Sequence, residues 1–185
     1  MTTKLTITDT INTVIQGEIK ELIEYNGAPF IKFQLIVTAI EFLGACLDNH
    51  KFEDNEKSEI RFNKALVKLF PKPYKKYSKK DSEISLYKQL RCGMIHKLRP
   101  LSSKIRLTER RHLNKGQEVH MTEIDNDLFL VLEDFYADLY KACDELKKMD
   151  KNGKLPTKKM EQEYITVHKG STGHTETHET KVVKE

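Results

Sequence analysis

An arginine and a histidine five residues apart form the first chemically useful pair in this sequence. Arg91 and His96 enclose four residues, of which Cys92 and Gly93 are the first two. Histidine exchanges protons near neutral pH, and a guanidinium group holds a phosphate with two parallel hydrogen bonds. On an ideal helix, five residues turn through about 140°, so both side chains reach one phosphate only if the arginine curls toward the histidine. The spacing therefore fits phosphate chemistry, and it equally fits a histidine at a helix end beside an arginine that pairs with a surface acid.

A strongly basic segment surrounds this pair. Between positions 61 and 115 the sequence has 17 lysines and arginines against three acids, a net charge of +14, whereas the rest of the chain carries −10. The predicted contacts for RNA or another polyanion are Lys68, Lys72, Lys75, Lys76 and Lys79. The aromatic residues among them are Phe62, Phe70, Tyr74 and Tyr77. Lysines neutralise phosphates and aromatic rings stack on bases, so the segment predicts nucleic-acid binding. The alternative is a solvated lysine-rich loop with Phe62 and Phe70 in the core.

Hydrophobic periodicity predicts five helices that would position these side chains. They are expected at about 11–23, 30–48, 56–70, 82–98 and 127–149. Pro29, Pro71 and Pro100 lie at the expected boundaries, where proline starts or stops a helix. The second helix is apolar almost all round, which is typical of the most buried helix of a domain. Arg91 and His96 lie on the fourth helix.

Between the fourth and fifth helices the pattern changes from helical to alternating. Residues 104–108 and 118–122 both alternate polar and apolar side chains, as a half-buried strand does. Residues 114–117, with the sequence Asn-Lys-Gly-Gln, are suited to a turn between them. We therefore expect a small antiparallel β-hairpin before the last long helix.

Composition along the chain predicts one helical domain over residues 1–150 and a largely disordered tail over 151–185. The end of the chain is low in complexity and has too few apolar residues to form a core. No run of about 18 uncharged apolar residues occurs, because the nearest one, 30–47, contains Lys32 and Glu41. We expect neither a membrane span nor a membrane partner, and the first residues lack the apolar core of a secretory signal.

The cysteines predict a reducing compartment. Cys46, Cys92 and Cys143 lie far apart in apolar stretches, so they are expected to be buried thiols of a cytoplasmic protein. No set of residues with metal-ligand spacing stands out, and we predict neither a metal nor another cofactor.

The Arg-x4-His motif near the end of a helix, in a small helical chain, resembles the signature of the HEPN superfamily. A compatible order of long helices extends the resemblance over roughly residues 30–148. The resemblance implies an up-and-down bundle of about five helices, and a homodimer whose two motif helices meet at one cleft. It also implies catalysis without metal, in which His96 takes the proton of a ribose 2′-hydroxyl and Arg91 stabilises the phosphate. Gly93 would admit the backbone of the second protomer.

Two classes of function remain open. The first is a HEPN-like endoribonuclease of the toxin or defence type, or an RNA-binding protein, with Arg91 and His96 as catalytic residues and an antitoxin as one further partner. The second is a non-catalytic helical module that binds an acidic partner protein or a nucleotide. Other members of the superfamily are themselves binding or accessory domains, so the resemblance does not choose between the two.

Overall fold

The computed structural model describes residues 6–54, 56–79 and 81–156. Over these residues the protein is mainly helical, as the sequence predicted, and it carries a small three-stranded sheet where a two-stranded hairpin was expected. The helices are α1 (Ile7–Thr10, continued by the π-helical Ile11–Glu18 and by Ile19–Glu24), α2 (Pro29–Leu47), α3 (Ser58–Lys68), α4 (Tyr74–Tyr77), α5 (the π-helical Leu86–Arg91, continued by Cys92–Lys97) and α6 (Leu132–Lys151). The strands are β1 (Ile105–Thr108), β2 (Thr122–Ile124) and β3 (Asp127–Val131).

Helix α1 packs along α6 through isoleucines that repeat every four residues. Its buried side chains are Ile7, Ile11, Ile15 and Ile19. In a regular α-helix a four-residue repeat drifts by about 40° per step, and the wider turns of a π-helix offset that drift. The hydroxyl of Tyr136 on α6 donates to the Ile15 carbonyl at 2.8 Å, where the π-helical stretch leaves that oxygen accessible. The four isoleucines therefore keep to one face, against the core.

Helix α2 is the central helix of the protein. It is the one helix in the described ranges long and apolar enough to cross a membrane, with a mean hydropathy of 1.8, yet 56% of that stretch is buried inside the protein. Lys32 is 3% exposed, and its ammonium group donates to the carbonyls of Ile23 and Tyr25 at the end of α1. A buried cation at a helix C-terminus is stabilised by the helix dipole and by those hydrogen bonds. Both features are those of a core helix, packed on several sides by the rest of the domain.

Helices α2 and α3 cross at Gly44. A β-carbon at Gly44 would lie 1.8 Å from the carbonyl oxygen of Arg61, so only glycine permits this approach. Arg61 is itself buried, and its Nε lies 2.7 Å from the Asp48 carboxylate. The first cation of the basic segment therefore holds the turn between two helices and does not face solvent.

The predicted hairpin is wrong in its pairing. Strand β1 pairs parallel with β3, and β2 pairs antiparallel with β3, so residues 104–108 and 118–122 are not partners. Residues 114–117 do form a turn, in which the Gln117 amide donates to the Asn114 carbonyl at 3.0 Å. That turn lies within the loop between β1 and β2. The hairpin that precedes the last helix joins β2 to β3 at Asp125 and Asn126, whose φ angles of +52° and +66° suit a tight two-residue turn.

The predicted start of the last helix is also wrong. Residues 127–131 form β3, and α6 begins at Leu132. Leu128 and Val131 fit the apolar spacing of the helix that follows, which explains the error. The alternation of buried Leu128 and Leu130 about half-buried Phe129 is the strand signal that decides the structure.

The remaining helix predictions differ mainly at the ends. Helix α2 matches the expected 30–48 closely, α3 is shorter than the expected 56–70, and α5 begins at Leu86, later than expected. The single turn α4 lies in the basic segment and was not predicted. Most of the predicted tail, residues 157–185, lies outside the described residues. Just before it, Leu155 is 8% exposed and packs into the core.

Candidate functional site

The five lysines predicted to bind a polyanion are exposed, on the end of α3, on α4 and on the turns that flank α4. Among the described residues, four of them make no ion pair: Lys68, Lys72, Lys75 and Lys79. The ammonium group of Lys76 lies 2.6 Å from the carboxylate of Glu123 on β2. We call this group of five lysines the lysine face. Four cations that form no ion pair within the described residues are available to an external anion.

The four aromatic residues of positions 61–80 do not join that surface. Phe62 and Tyr74 are 0% exposed, Phe70 is 6% exposed and Tyr77 is 4% exposed. The expectation that these rings stack on bases is therefore wrong, and the alternative that placed Phe62 and Phe70 in the core is confirmed. Helix α4 explains the sorting, because positions 74 and 77 share one side of a helical turn while Lys75 and Lys76 take the other.

A buried polar network anchors α4 through Tyr74. Its hydroxyl donates to Asp138 on α6 at 3.0 Å and lies 2.9 Å from Nε2 of His120. Nδ1 of His120 accepts a hydrogen bond from the Val131 amide at 3.1 Å, so Nε2 carries the ring proton of the neutral histidine. That proton is shared between the Tyr74 hydroxyl and the Asp138 carboxylate, which lies 3.4 Å from Nε2. Burial, and then the negative charge of Asp138, raise the pKa of Tyr74 well above its ordinary value. Burial acts to raise the pKa of Asp138 as well, but the hydrogen bonds from His120 and Tyr74 outweigh it and lower that pKa.

A second tyrosine ties α4 to the sheet. The hydroxyl of Tyr77 donates to the Glu123 carboxylate at 2.7 Å, the same carboxylate that pairs with Lys76. Hydrogen bonds from Lys76 and from Tyr77 lower the pKa of Glu123. Two carboxylates on different elements therefore hold the short helix from both ends, and the lysine face has a defined backbone position.

Sequence reasoning did not find these anchors. His120 has a side chain that is 11% exposed, and it contacts residues far from it in the chain, on α4 and α6. No short motif joins positions 74, 120 and 138. The one sequence signal for a buried polar network is a polar residue at an otherwise apolar helix position, such as Asp138 on the core-facing half of α6. That signal does not show which residues Asp138 contacts.

Arg91 is not available to an external phosphate in this structure. Its Nε lies 2.7 Å from the carboxylate of Glu41 on α2, and the two side chains are 16% and 19% exposed. The guanidinium carbon also lies 5.7 Å from the ring centre of Tyr87, a cation–π distance. Burial, and then Cys92, raise the pKa of Tyr87. The arginine is thus held against α2 by a carboxylate and an aromatic ring.

His96 is exposed in the last turn of α5. Within the described part of the chain it makes no hydrogen bond or ion pair, with Arg91 or with any other residue. The structure therefore does not join the two motif residues, because one faces α2 and the other faces solvent. His96 remains accessible to a ligand, and Arg91 reaches one only after leaving Glu41.

Packing within the same chain explains why position 93 is a glycine. A β-carbon there would lie 2.5 Å from the carbonyl oxygen of Arg99 and 2.8 Å from the amide nitrogen of Leu101. The chain reverses at Leu98, in a left-handed conformation with φ +56°, and runs back over the glycine. Leu90 and Met94 of the same helix are 0% exposed in the core. The sequence features that suggested a second protomer at this helix are thus accounted for by intramolecular packing, and the homodimer stays a prediction.

The other arginines of the basic segment are also paired with acids. The ion pairs are Arg61 with Asp48, Arg106 with Asp127, Arg110 with Glu118 and Asp134, and Arg111 with Glu109. Arg99, on the loop after α5, is exposed and is the one arginine of the segment that has no such pair among the described residues. Most of the free positive charge of the segment therefore belongs to lysines.

Metal chemistry has no obvious site in the described ranges, where no group of three or more histidine, cysteine or acidic side chains is placed to hold an ion. Comparison with known protein families, with curated proteins and with solved structures found no match to this chain. Function must therefore be argued from the arrangement of these side chains.

Proposed function

We propose that the protein binds RNA through the lysine face. The observation that carries the proposal is the set of four unpaired lysines on and beside the helical turn α4, whose backbone is anchored by Tyr74 and Tyr77. Like charges held close together repel one another, and a polyanion relieves that repulsion while it releases its own condensed counterions. Because the turn is already ordered, binding does not carry the entropic cost of folding it.

An acidic protein is the other partner that the charge would suit. Lysine is depleted at protein–protein interfaces, where aromatic residues and arginine form the buried centre. On α4 the aromatic residues face inward, and every arginine of the basic segment except Arg99 is paired with an acid. A surface that offers lysines without exposed aromatic residues or free arginines suits the repeated phosphates of a nucleic acid better than the surface of a protein.

The finer form of the proposal follows from the HEPN resemblance. In it the helices form a HEPN-like bundle, and a cytoplasmic homodimer of the toxin or defence type cleaves the bound RNA at Arg91 and His96, with an antitoxin as its regulator. The exposure of His96 supports this form, since an accessible imidazole can accept a proton from a 2′-hydroxyl. The Glu41 carboxylate opposes it, because Arg91 must exchange that carboxylate for a phosphate before it can act.

A charge-neutralising variant tests RNA binding. Replacement of Lys68, Lys72, Lys75 and Lys79 by glutamine should weaken binding of a labelled single-stranded RNA at least about tenfold at low salt, because up to four phosphate contacts are lost. Fluorescence anisotropy measures the dissociation constant. The matched control replaces four exposed lysines elsewhere, Lys20, Lys115, Lys141 and Lys148, and should bind nearly as the parent does. Equal affinity of the two variants, or a parent protein that does not bind RNA at low salt, would exclude the proposal.

A further inference from the structure

We infer that the lysine face recognises phosphate charge alone, so that its substrate class is the backbone of double-stranded nucleic acid, RNA or DNA, whatever the base sequence. This inference rests on the proposed function: it narrows the preferred ligand to duplexes and extends it from RNA to DNA. It departs from the single-stranded, base-stacked RNA that the sequence pattern suggested.

The first step is the absence of a stacking surface. Proteins that prefer single strands stack unpaired bases on exposed aromatic rings. Each of the four aromatic residues of positions 61–80 is at most 6% exposed, and the half-buried ring of Tyr87 carries the Arg91 guanidinium group. The two tyrosine hydroxyls are also engaged, with Asp138 and with Glu123. A single strand would therefore gain no stacking energy here.

The second step is the absence of residues that read base edges. Specific contacts to bases use mostly the planar groups of arginine, asparagine, glutamine or an acid, and lysine can donate to O6 and N7 of guanine. Residues 68–79, with the sequence KLFPKPYKKYSK, contain no arginine, asparagine, glutamine or acid. The hydroxyl of Ser78 is directed inward and donates to the Lys75 carbonyl at 3.0 Å. Apart from a lysine contact to guanine, no side chain of the lysine face is suited to distinguishing one base from another.

The third step is the chemistry that remains. A lysine ammonium group is a compact, hydrated point charge that attracts phosphate without fixing its orientation. Its attraction depends on the density of negative charge and not on whether the sugar carries a 2′-hydroxyl. A duplex carries one charge per about 1.7 Å of its axis, twice the linear density of one of its strands, and each neutralised phosphate releases more counterion from it. Duplexes are therefore preferred to single strands, and RNA is not distinguished from DNA.

The experiment measures dissociation constants of the full chain for five kinds of labelled probe at two salt concentrations. The probes are 20-nucleotide single-stranded RNA and DNA of mixed sequence, 20-base-pair duplexes of RNA and of DNA, and single-stranded homopolymers of adenine, uracil and cytosine. We expect RNA and DNA to agree within about twofold, the homopolymers to agree within about twofold, and the duplexes to bind at least about fivefold more tightly. The logarithm of the binding constant should fall with the logarithm of salt concentration with a slope of about −4 on duplexes. Inorganic polyphosphate should displace every probe.

The outcomes separate this inference from the function on which it depends. If no probe binds, the proposed function fails and the inference fails with it. If RNA binds but a single strand is preferred, or one homopolymer binds far more tightly than the others, the function stands and the inference is overturned. The variant in which Lys68, Lys72, Lys75 and Lys79 are glutamine must weaken all probes in parallel, and a loss confined to one class would also overturn it.

Discussion

The lysine face and the Arg91 helix contrast two uses of positive charge within one basic segment. Both regions looked like phosphate contacts in the sequence. In the first, carboxylates bind the tyrosines beneath the surface, and four ammonium groups are left free. In the second, the carboxylate of Glu41 binds the guanidinium group itself. The same residue types, acid, aromatic and cation, thus give an available charge in one place and a neutralised charge in the other.

The difference follows from the chemistry of the two cations. A guanidinium group is planar and weakly hydrated, and it stacks on aromatic rings, so it tolerates partial burial between Glu41 and Tyr87. An ammonium group is strongly hydrated and stays at the surface while its stem lies on the protein. A count of basic residues therefore overstates the charge that a partner meets, and it does so most where the residues are arginines.

Loss of the Tyr74 hydroxyl is expected to have the largest effect on stability. Tyr74→Phe keeps the ring in the core but removes a buried hydrogen bond to the Asp138 carboxylate, which His120 then contacts alone from the core side at 3.4 Å. The expected cost is about 2 kcal/mol in the free energy of unfolding. Urea denaturation measures the change. Tyr140→Phe, at a position that is 38% exposed, is the control and should cost little. If the Tyr74→Phe protein is as stable as its parent, the Tyr74 hydroxyl does not anchor α4.

The contribution of Tyr74 to stability should depend on pH in the alkaline range. The pKa of Tyr74 is raised in the folded protein, so its contribution to stability is complete below the pKa of about 10 of an unfolded tyrosine and is lost as pH rises above it. The free energy of unfolding should then fall by about 1.4 kcal/mol per pH unit for this residue. Tyr77 and Tyr136 have raised pKa values as well and add to the slope. Denaturation at several pH values above 10 should give a shallower slope for Tyr74→Phe, and equal slopes would contradict the assignment.

Removal of the Arg91 charge should affect stability more than RNA binding. Arg91→Gln leaves a largely buried carboxylate at Glu41 unpaired, which should lower the free energy of unfolding by about 1 kcal/mol. The double variant Arg91→Gln/Glu41→Gln should cost less than the sum of the single variants, because the interaction is shared. RNA affinity should change by less than about twofold, since the guanidinium is already neutralised. If the RNA affinity of Arg91→Gln falls as far as that of the lysine variant, Arg91 also binds RNA, and its charge is not neutralised by Glu41 as we infer.

The smallest expected effect concerns His96. His96→Ala should change the free energy of unfolding by less than about 0.5 kcal/mol, because the side chain is exposed and makes no hydrogen bond or ion pair within the described residues. If the helix is a nuclease site, the parent protein cleaves RNA slowly in EDTA and leaves a 2′,3′-cyclic phosphate, His96→Ala does not, and Glu41→Gln cleaves faster because Arg91 is released. If neither the parent nor Glu41→Gln cleaves the RNA, the protein is not a nuclease. If His96→Ala cleaves as well as the parent, His96 is not catalytic. Either result contradicts the nuclease form of the proposal. Analysis of a labelled-RNA digest decides between these results.

Helix α2 and strand β3 mark the limits of prediction from sequence. An apolar stretch of 19 residues after a proline can form a buried helix almost regardless of context, and α2 was predicted within a residue at each end. Strand β3 is five residues long, and its leucines also fit the period of the helix behind it. Its pairing with β1 joins residues more than 20 positions apart in the chain, and local periodicity carries no information about such a partner.

The sequence alone determined the helical class of this protein, the position of its central helix and the excess of positive charge between residues 61 and 115, because these depend on composition and on local periodicity. Only the tertiary structure decided which of those charges is free. Arg91 meets Glu41 across 50 positions, and Tyr74 meets Asp138 across 64 positions. An ion pair or a buried hydrogen bond forms where folding brings two groups within about 3 Å, and that distance is set by how the helices pack.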